Sequence, residues 1–470
     1  MASQRTVRSV LAWVVFGIVV TVSGTGCAHR IWNAPIGRQA MDDRYEFRNR
    51  LPKNSQDIFV VLAFSGGGTR AASFSYGVLE ALRDTTIKVD GAQRRLLDEV
   101  DVITSVSGGS YTAAYYGLYG DRIFTEFKRE FLNRDWQGEL IRLAARPGSL
   151  VRTASGDYNR SDLVAAYLDR TLFAGATYRD LSQHDLPFII INASDINNAT
   201  TFSFIQQQFD FLCSDLAPYP VANAVMASSA VPGPFASMAL RNYDGCNERN
   251  QPWVADALAH DSFLERRRAV ALALERYAIP DRMPVVRLVD GGVTDNLGVR
   301  GSMMSPVAHY GNVPEMSGAF TRDQLQRVRN VLVVIANAQV YTETDWSLQG
   351  REPGLTAMLQ SSFDSALGIL NTETVSLAKQ GFLMWEDHVN TMRGPDQAKV
   401  RVHFSILTFD QIESADVRRR FNAMPTTFRL QPAQVDALVA QSRELLQKSP
   451  EFVEFLHDVG NRHVEQAATP

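Results

Sequence analysis

Residues 58–64 read IFVVLAF and run straight into Ser-Gly-Gly-Gly-Thr-Arg at 65–70, with a helical pattern from Ala71 to Leu82 behind them. Seven apolar residues in a row leave no polar face for water, so a strand made of them must be covered on both sides. That requirement selects a sheet sandwiched between helices and excludes a sheet with one face in solvent. The same pattern recurs downstream. Val100–Val106 (VDVITSV) leads through Ser107-Gly108-Gly109 into a run of small and aromatic residues ending at Tyr119. Further strands are predicted at Pro187–Ala193, with Thr201–Ile205 as a partner, at Val285–Val289 and at Val328–Asn337. Another is predicted at Lys399–Leu407, where apolar and polar residues alternate. Strands alternating with helical stretches predict an α/β fold, a three-layer core with a mainly parallel central sheet.

With 470 residues, 45% of them hydrophobic and 21% charged, the chain can bury such a core without metal or disulfide staples. A formal charge of −4 argues against nucleic acid as a partner, which would call for a basic stripe. Residues 242–284 interrupt the α/β pattern. Within them, Asp261–Ala278 reads as one amphipathic surface helix. Its Arg266-Arg267-Arg268 run is a solvated face or a contact for anionic lipid headgroups. Ser449-Pro450-Glu451 opens a terminal helix that carries Phe452, Phe455, Leu456 and Val459 on one side.

The N-terminus carries Arg5 and Arg8, an apolar run from Val10 to Val22, and Ser-Gly-Thr-Gly-Cys at 23–27. Thirteen apolar residues fall short of the about 20 that span a bilayer as a helix. Basic start, short apolar stretch and small residues describe an export signal. Ending at Cys27, it resembles a bacterial lipoprotein signal, with Gly24 where that motif usually has Leu, which implies lipidation of that cysteine; an uncleaved anchor and simple secretion are the alternatives. Residues 1–27 are thus expected to be the signal and 28–56 a tether. The expected location is exported and membrane-anchored, facing the periplasm or on the outer membrane. In an oxidising compartment the remaining cysteines, Cys213 and Cys246, are expected to pair, with two separate buried thiols as the alternative.

Three motifs carry chemistry. Ser65–Arg70 joins strand to helix, and its glycines let backbone N–H groups converge on a negative charge, either a phosphate or an oxyanion. It has neither the lysine of a P-loop nor the glycine spacing of a dinucleotide site. Ser105-Val106-Ser107-Gly108-Gly109 places Ser107 at the apex of a strand-to-helix turn, as in a nucleophile elbow, although Ser107 could equally cap the helix. Val285–Val289 ends in Asp290-Gly291-Gly292, a carboxylate at the end of a buried strand or the cap of a turn.

Taken in order, these three motifs resemble the patatin-like phospholipase family. Ala227-Ser228-Ser229-Ala230-Val231-Pro232 is similar to the helix that precedes its aspartate, and Asp195 to the end of one of its strands. Ser105 stands where the family has glycine, and Ala71 where it often has another. The resemblance implies a patatin-like catalytic domain over residues 57–310, with the insertion 242–284, and leaves 311–470 as an extension packed on it. It also implies a Ser107–Asp290 dyad without histidine. Gly66, Gly67, Gly68 and Gly108 would form the oxyanion hole, supported by Gly109, Gly291 and Gly292, and Arg70 would brace the loop or meet a phosphate. The substrate would be phospholipid or lysophospholipid at a membrane surface, with no cofactor, no metal and no calcium dependence.

A Ser-His-Asp triad is the direct rival. Of the histidines after Asp290 (His309, His388, His403, His457 and His463), His388 is its one credible member. A non-catalytic lipid-binding or envelope-interaction lipoprotein on the same scaffold, and an acyltransferase, are the alternatives to hydrolysis.

Overall fold

The computed structural model describes residues 32–37, 44–47, 54–89, 91–156, 158–183, 187–262, 265–309, 311, 326–341, 350 and 352–467, the last seven by backbone only. The predicted signal and Cys27 lie outside the described residues. No described helix is long and apolar enough to cross a membrane.

The central sheet is built from β1 (Ile58–Phe64), β2 (Val100–Val106), β3 (Phe188–Asp195), β4 (Thr200–Ser203), β5 (Met238–Arg241), β6 (Val285–Val289), β7 (Asn330–Ala336) and β8 (Arg401–Leu407). Their order across the sheet is β8-β7-β1-β2-β3-β6-β5, with β4 on β3. The pairs β8–β7, β7–β1, β1–β2 and β2–β3 are parallel. Every residue of β1, β2, β3 and β7 is buried, which is the two-sided covering that the apolar runs require.

The sheet is mixed where sequence pattern is silent about direction. β6 runs antiparallel to β3, joined at its tip through Leu288↔Asp195 and Val289↔Ser194, and β5 runs antiparallel to β6. The chain therefore enters β6 from beyond the carboxyl end of β3, and its last residues stop beside that end.

The helices that position the site are α1 (Gly68–Asp84), α2 (Gly108–Tyr119) and α3 (Val221–Ser228). The insertion holds two helices instead of the one predicted, α4 (Pro252–His260) and α5 (Arg266–Tyr277). Two arginines of its run join them. Arg267 pairs with Asp256 and Asp261, at 2.6 and 2.8 Å, and Arg268 donates to the Leu258 carbonyl near the end of α4. Arg267 Nε also donates to the Gly311 carbonyl at 2.9 Å, so Arg267 and Arg268 are tied into the fold, and a cation at a helix C-terminus satisfies its orphan carbonyls.

The C-terminal region is part of the same sheet. It supplies β7 and β8, connected by α6 (Leu355–Met392), and then α7 (Pro432–Lys448) and α8 (Pro450–Ala467). Parts of the predicted tether are also built in. Ala34–Pro35 pairs with Ser214–Asp215, and the buried Tyr45 hydroxyl exchanges hydrogen bonds with the backbone of Ile189 on β3. Cys213 and Cys246 are joined as a disulfide, with Cα atoms 5.5 Å apart and a sequence separation of 33.

Candidate active site

Parallel pairing of β1 with β2 brings the ends of both strands to one edge, with Phe64 opposite Ser105. The Ser65–Gly67 turn and Ser107 leave the sheet side by side. Ser107 sits at φ 48° and ψ −118°, a left-handed conformation costly for a residue with a Cβ. The surroundings hold it there. Its amide donates to Ser228 Oγ at 2.8 Å, and Ser228 Oγ in turn donates to the Asn192 carbonyl at 2.6 Å and meets Ser110 Oγ at 3.0 Å.

The glycines are explained by close approach. A Cβ on Gly108 would overlap the carbonyl of Gly68, and one on Gly109 would lie 2.6 Å from the Phe64 carbonyl. Gly67 and Gly68 adopt φ of 137° and 60°, which turn the chain sharply into α1. Among the described residues, the amides of Gly67, Gly68 and Gly108 donate to no protein acceptor. The Gly66 amide is different. It donates to the Asn296 carbonyl at 2.9 Å, so that member of the expected oxyanion set is already engaged.

Asp290 reaches the same place from the other direction, carried by the antiparallel β6. Its amide donates to the Ala230 carbonyl at 3.0 Å, and its Oδ1 accepts from the Gly292 amide at 2.8 Å. A Cβ on Gly291 would lie 2.5 Å from the Asn192 carbonyl, so glycine lets this turn press against β3. Burial pushes the Asp290 carboxyl up to about 6, against the opposing effects of the Gly292 amide and a hydrogen bond with the Ser107 side chain. Tyr111 on α2 lies beside Asp290 and Ser229, and burial together with that negative charge raises its phenol.

Arg70 follows the bracing alternative. It is buried, and it donates to the carbonyls of Ala338 at 2.8 Å and Met424 at 2.7 Å and to Thr426 Oγ1 at 3.1 Å. Desolvation pulls its guanidinium down to about 10, partly offset by the negative charge of Asp364. Asp195 stands apart from the dyad. It accepts from the Tyr277 hydroxyl at 2.6 Å and from Asn198 Nδ2 at 2.7 Å, which pins α5 to the end of β3.

Among the described residues no histidine hydrogen-bonds to Ser107 or Asp290. His388 is exposed on α6, His309 is buried with Nε2 3.1 Å from the Met303 carbonyl, and His403 packs on Phe455. The side chain of His463 lies outside the described residues. No three His, Cys, Asp or Glu side chains among those described converge as a metal site.

The family model for patatin-like phospholipases matches residues 62–302. The chain belongs to the patatin-like phospholipase family. Its mixed, mostly parallel sheet and the helices around it are the patatin fold. Its sequence matches none of the curated proteins. Solved structures similar to it include human GIVD cytosolic phospholipase A2 in complex with methyl gamma-linolenyl fluorophosphonate, at 13% identity over 90% of this chain and 61% of that one, TM-score 0.39. The human enzyme without that compound gives 15% identity over 67% and 48% of the two chains, TM-score 0.29. VipD from Legionella pneumophila gives 11% identity over 91% and 70%, TM-score 0.33. This patatin-family chain thus spans about half to three-fifths of the human enzyme's length.

Several residues around the site carry no motif of their own. Asn296 places its side-chain oxygen against both Gly66 and Gly292. The Thr427 carbonyl accepts from the Thr69 amide at 2.9 Å, and Phe428 packs edge-on against Tyr111 with ring centroids 5.8 Å apart. Ser228 stands within the Ala227–Pro232 motif quoted above and Asn296 four residues past Asp290-Gly291-Gly292, whereas nothing local marks Thr427 or Phe428.

Proposed function

We propose that this protein is a serine hydrolase of fatty-acyl esters in phospholipid or lysophospholipid, working through a Ser107–Asp290 dyad. The geometry that carries the reading is a buried carboxylate, Asp290, at the end of β6 beside the strained elbow serine, and burial raises its pKa towards neutrality. An ordinary aspartate is too weak a base to assist an alcohol, and desolvation moves it closer to the working pH.

Ser107 Oγ attacks the ester carbonyl while Asp290 takes its proton. The developing oxyanion faces the unengaged amides of Gly67, Gly68 and Gly108, where each donor is worth about 3 kcal/mol in comparable sites. Collapse of the tetrahedral adduct breaks the ester C–O bond, and Asp290 returns the proton to the leaving alcohol. Water then attacks the acyl-serine, giving its proton to Asp290, and free fatty acid leaves with Ser107 reprotonated. Arg70 contributes by clamping α1 to the segments around Ala338 and Met424, so the amides stay aimed without rearrangement.

Fatty-acid release from mixed phospholipid vesicles, with EDTA present, tests this reading. Ser107→Ala and Asp290→Asn should abolish release and His388→Ala should leave it intact. Release that survives both dyad substitutions would exclude the dyad. A wild type inactive on phospholipid, lysophospholipid and short-chain esters would favour a non-catalytic or acyl-transferring protein.

The same proposal places the protein outside the cytoplasm as a lipoprotein acylated at Cys27. The basic and apolar leader supports it, as does the Cys213–Cys246 disulfide, which persists in oxidising compartments. Mass spectrometry of the mature N-terminus should find a diacylglyceryl group on Cys27, and an unprocessed Met1 would refute it.

A further inference from the structure

The helix that leads into the last strand is much longer than the sheet it crosses. α6 has 38 residues, about 57 Å at the helical rise. β8 has seven, about 23 Å. In a β7–α6–β8 crossover between parallel strands the helix runs opposite to the strands, so α6 begins at the sheet edge where Ser107 also lies. Its C-terminal half is seated, with Phe382, Trp385 and Val389 buried. The excess length overhangs at the N-terminal half.

Contacts place that overhang next to the site. Asn371 hydrogen-bonds to Gln339 just past β7, Gly368 faces Gln339 and Tyr341, and Asp364 acts electrostatically on Arg70. Residues 355–372 contain one charge, Asp364. Leu355 and Leu359 are nonetheless 75% and 63% exposed, with Met358, Phe363 and Ile369 exposed beside them.

A second exposed surface lies on the helices Trp136–Ala144 and Pro147–Ala154. Residues 141–156 hold Arg142, Arg146 and Arg152 and no carboxylate. All three arginines are exposed, and Ile141, Leu150 and Val151 stand out between them. This surface hangs on the segment that backs Gly68, through the Gln137 amide donating to the Phe428 carbonyl and Arg429 facing Asp135 at 3.5 Å.

We propose that these two surfaces form one docking face for an anionic phospholipid bilayer. The overhang of α6 enters the interface and the arginines meet headgroups, which seats the Ser107 site against the lipid. The purpose of the face rests on the hydrolase reading, although the binding does not. Charge complementarity selects the occupant. The chain as a whole is anionic, at −4, and an anionic surface would repel it, so attraction must come from a local cationic apolar face. Neither half is a spanning element.

The test separates docking from chemistry. Full-length protein carrying Cys27→Ser and Ser107→Ala, which removes both the acylation site and turnover, is sedimented with phosphatidylcholine vesicles with and without phosphatidylglycerol. Arg142→Gln/Arg146→Gln should weaken binding to phosphatidylglycerol vesicles about 30-fold, the share of surface attraction of two arginines, and leave phosphatidylcholine binding unchanged. Leu355→Ser/Leu359→Ser should weaken binding to both. With Ser107 restored, the same substitutions should slow hydrolysis of vesicle lipid and spare a soluble short-chain ester. Unchanged binding of the substituted proteins to phosphatidylglycerol vesicles would overturn the proposal. So would a failure of the parent to bind, coupled with a dimer that Leu359→Ser dissolves, since the face would then join two copies. Binding that responds as stated, with neither substrate cleaved, would sustain the docking face and refute the hydrolase reading.

Discussion

Asp290 and Ser107 are each held in a state that an isolated residue would avoid, the one by burial and the other by its backbone. The carboxyl at about 6 predicts a pH profile for ester hydrolysis. kcat/KM should rise with pH through about 6, as the base loses its proton, and level off above it. Asp290→Asn should cost at least about 100-fold and flatten that limb, as removal of a general base does. The same shift has a consequence for stability. Because the folded value lies above the usual 3.8, the folded protein keeps a proton that the unfolded chain releases between the two values. This contribution is complete below about pH 4 and is lost as pH rises through about 6. Asp290→Asn should therefore raise the melting temperature at pH 7, by the equivalent of about 1–3 kcal/mol, and leave it unchanged at pH 4. Ser228→Ala removes the acceptor of the elbow amide, and urea unfolding should register a loss of about 1–3 kcal/mol together with reduced turnover.

At the scale of elements, the contacts between helices are set by glycine. A Cβ on Gly77, in the middle of α1, would collide with Ser442 Oγ and the Val439 carbonyl on α7. Helix propensity alone would make Gly77→Ala favourable by about 1 kcal/mol. The collision forces α1 and α7 apart, so we expect a net loss of about 2 kcal/mol, read from the denaturant midpoint. Since α1 begins at the glycine turn beside Ser107, ester hydrolysis should fall further than stability accounts for. Element identity was readable wherever burial was two-sided: IFVVLAF, VDVITSV and VRNVLVVIAN could be little else. Direction was not readable, because the period of a strand is the same whichever way it runs, and β6 arrives antiparallel. Inside the insertion, α4 at Pro252–His260 was not predicted, and the helix predicted over Asp261–Ala278 begins at Arg266.

For the whole molecule, the C-terminal region is required for the core to close. β7 lies directly against β1, Ala336 opposite Phe64, and Thr427 and Met424 back the turn from Ser65 to Arg70. A chain cut after residue 310 would expose the whole edge of β1, and it should lack a cooperative thermal transition and near-ultraviolet dichroism. Reducing the Cys213–Cys246 bridge, or replacing both cysteines by serine, should cost about 3–4 kcal/mol for a closed loop of 33 positions. The sequence by itself determined the α/β class, the family, and the Ser107, Gly67–Gly68 and Asp290 motifs, because backbone geometry at a tight turn restricts which residues can stand there. Only the tertiary structure decided that the Gly66 amide is spoken for, that Arg70 braces, and that Ser228, Asn296 and Thr427 complete the surroundings. Those roles belong to contacts between residues tens to hundreds of positions apart, and no local pattern encodes which distant carbonyl a buried donor will find.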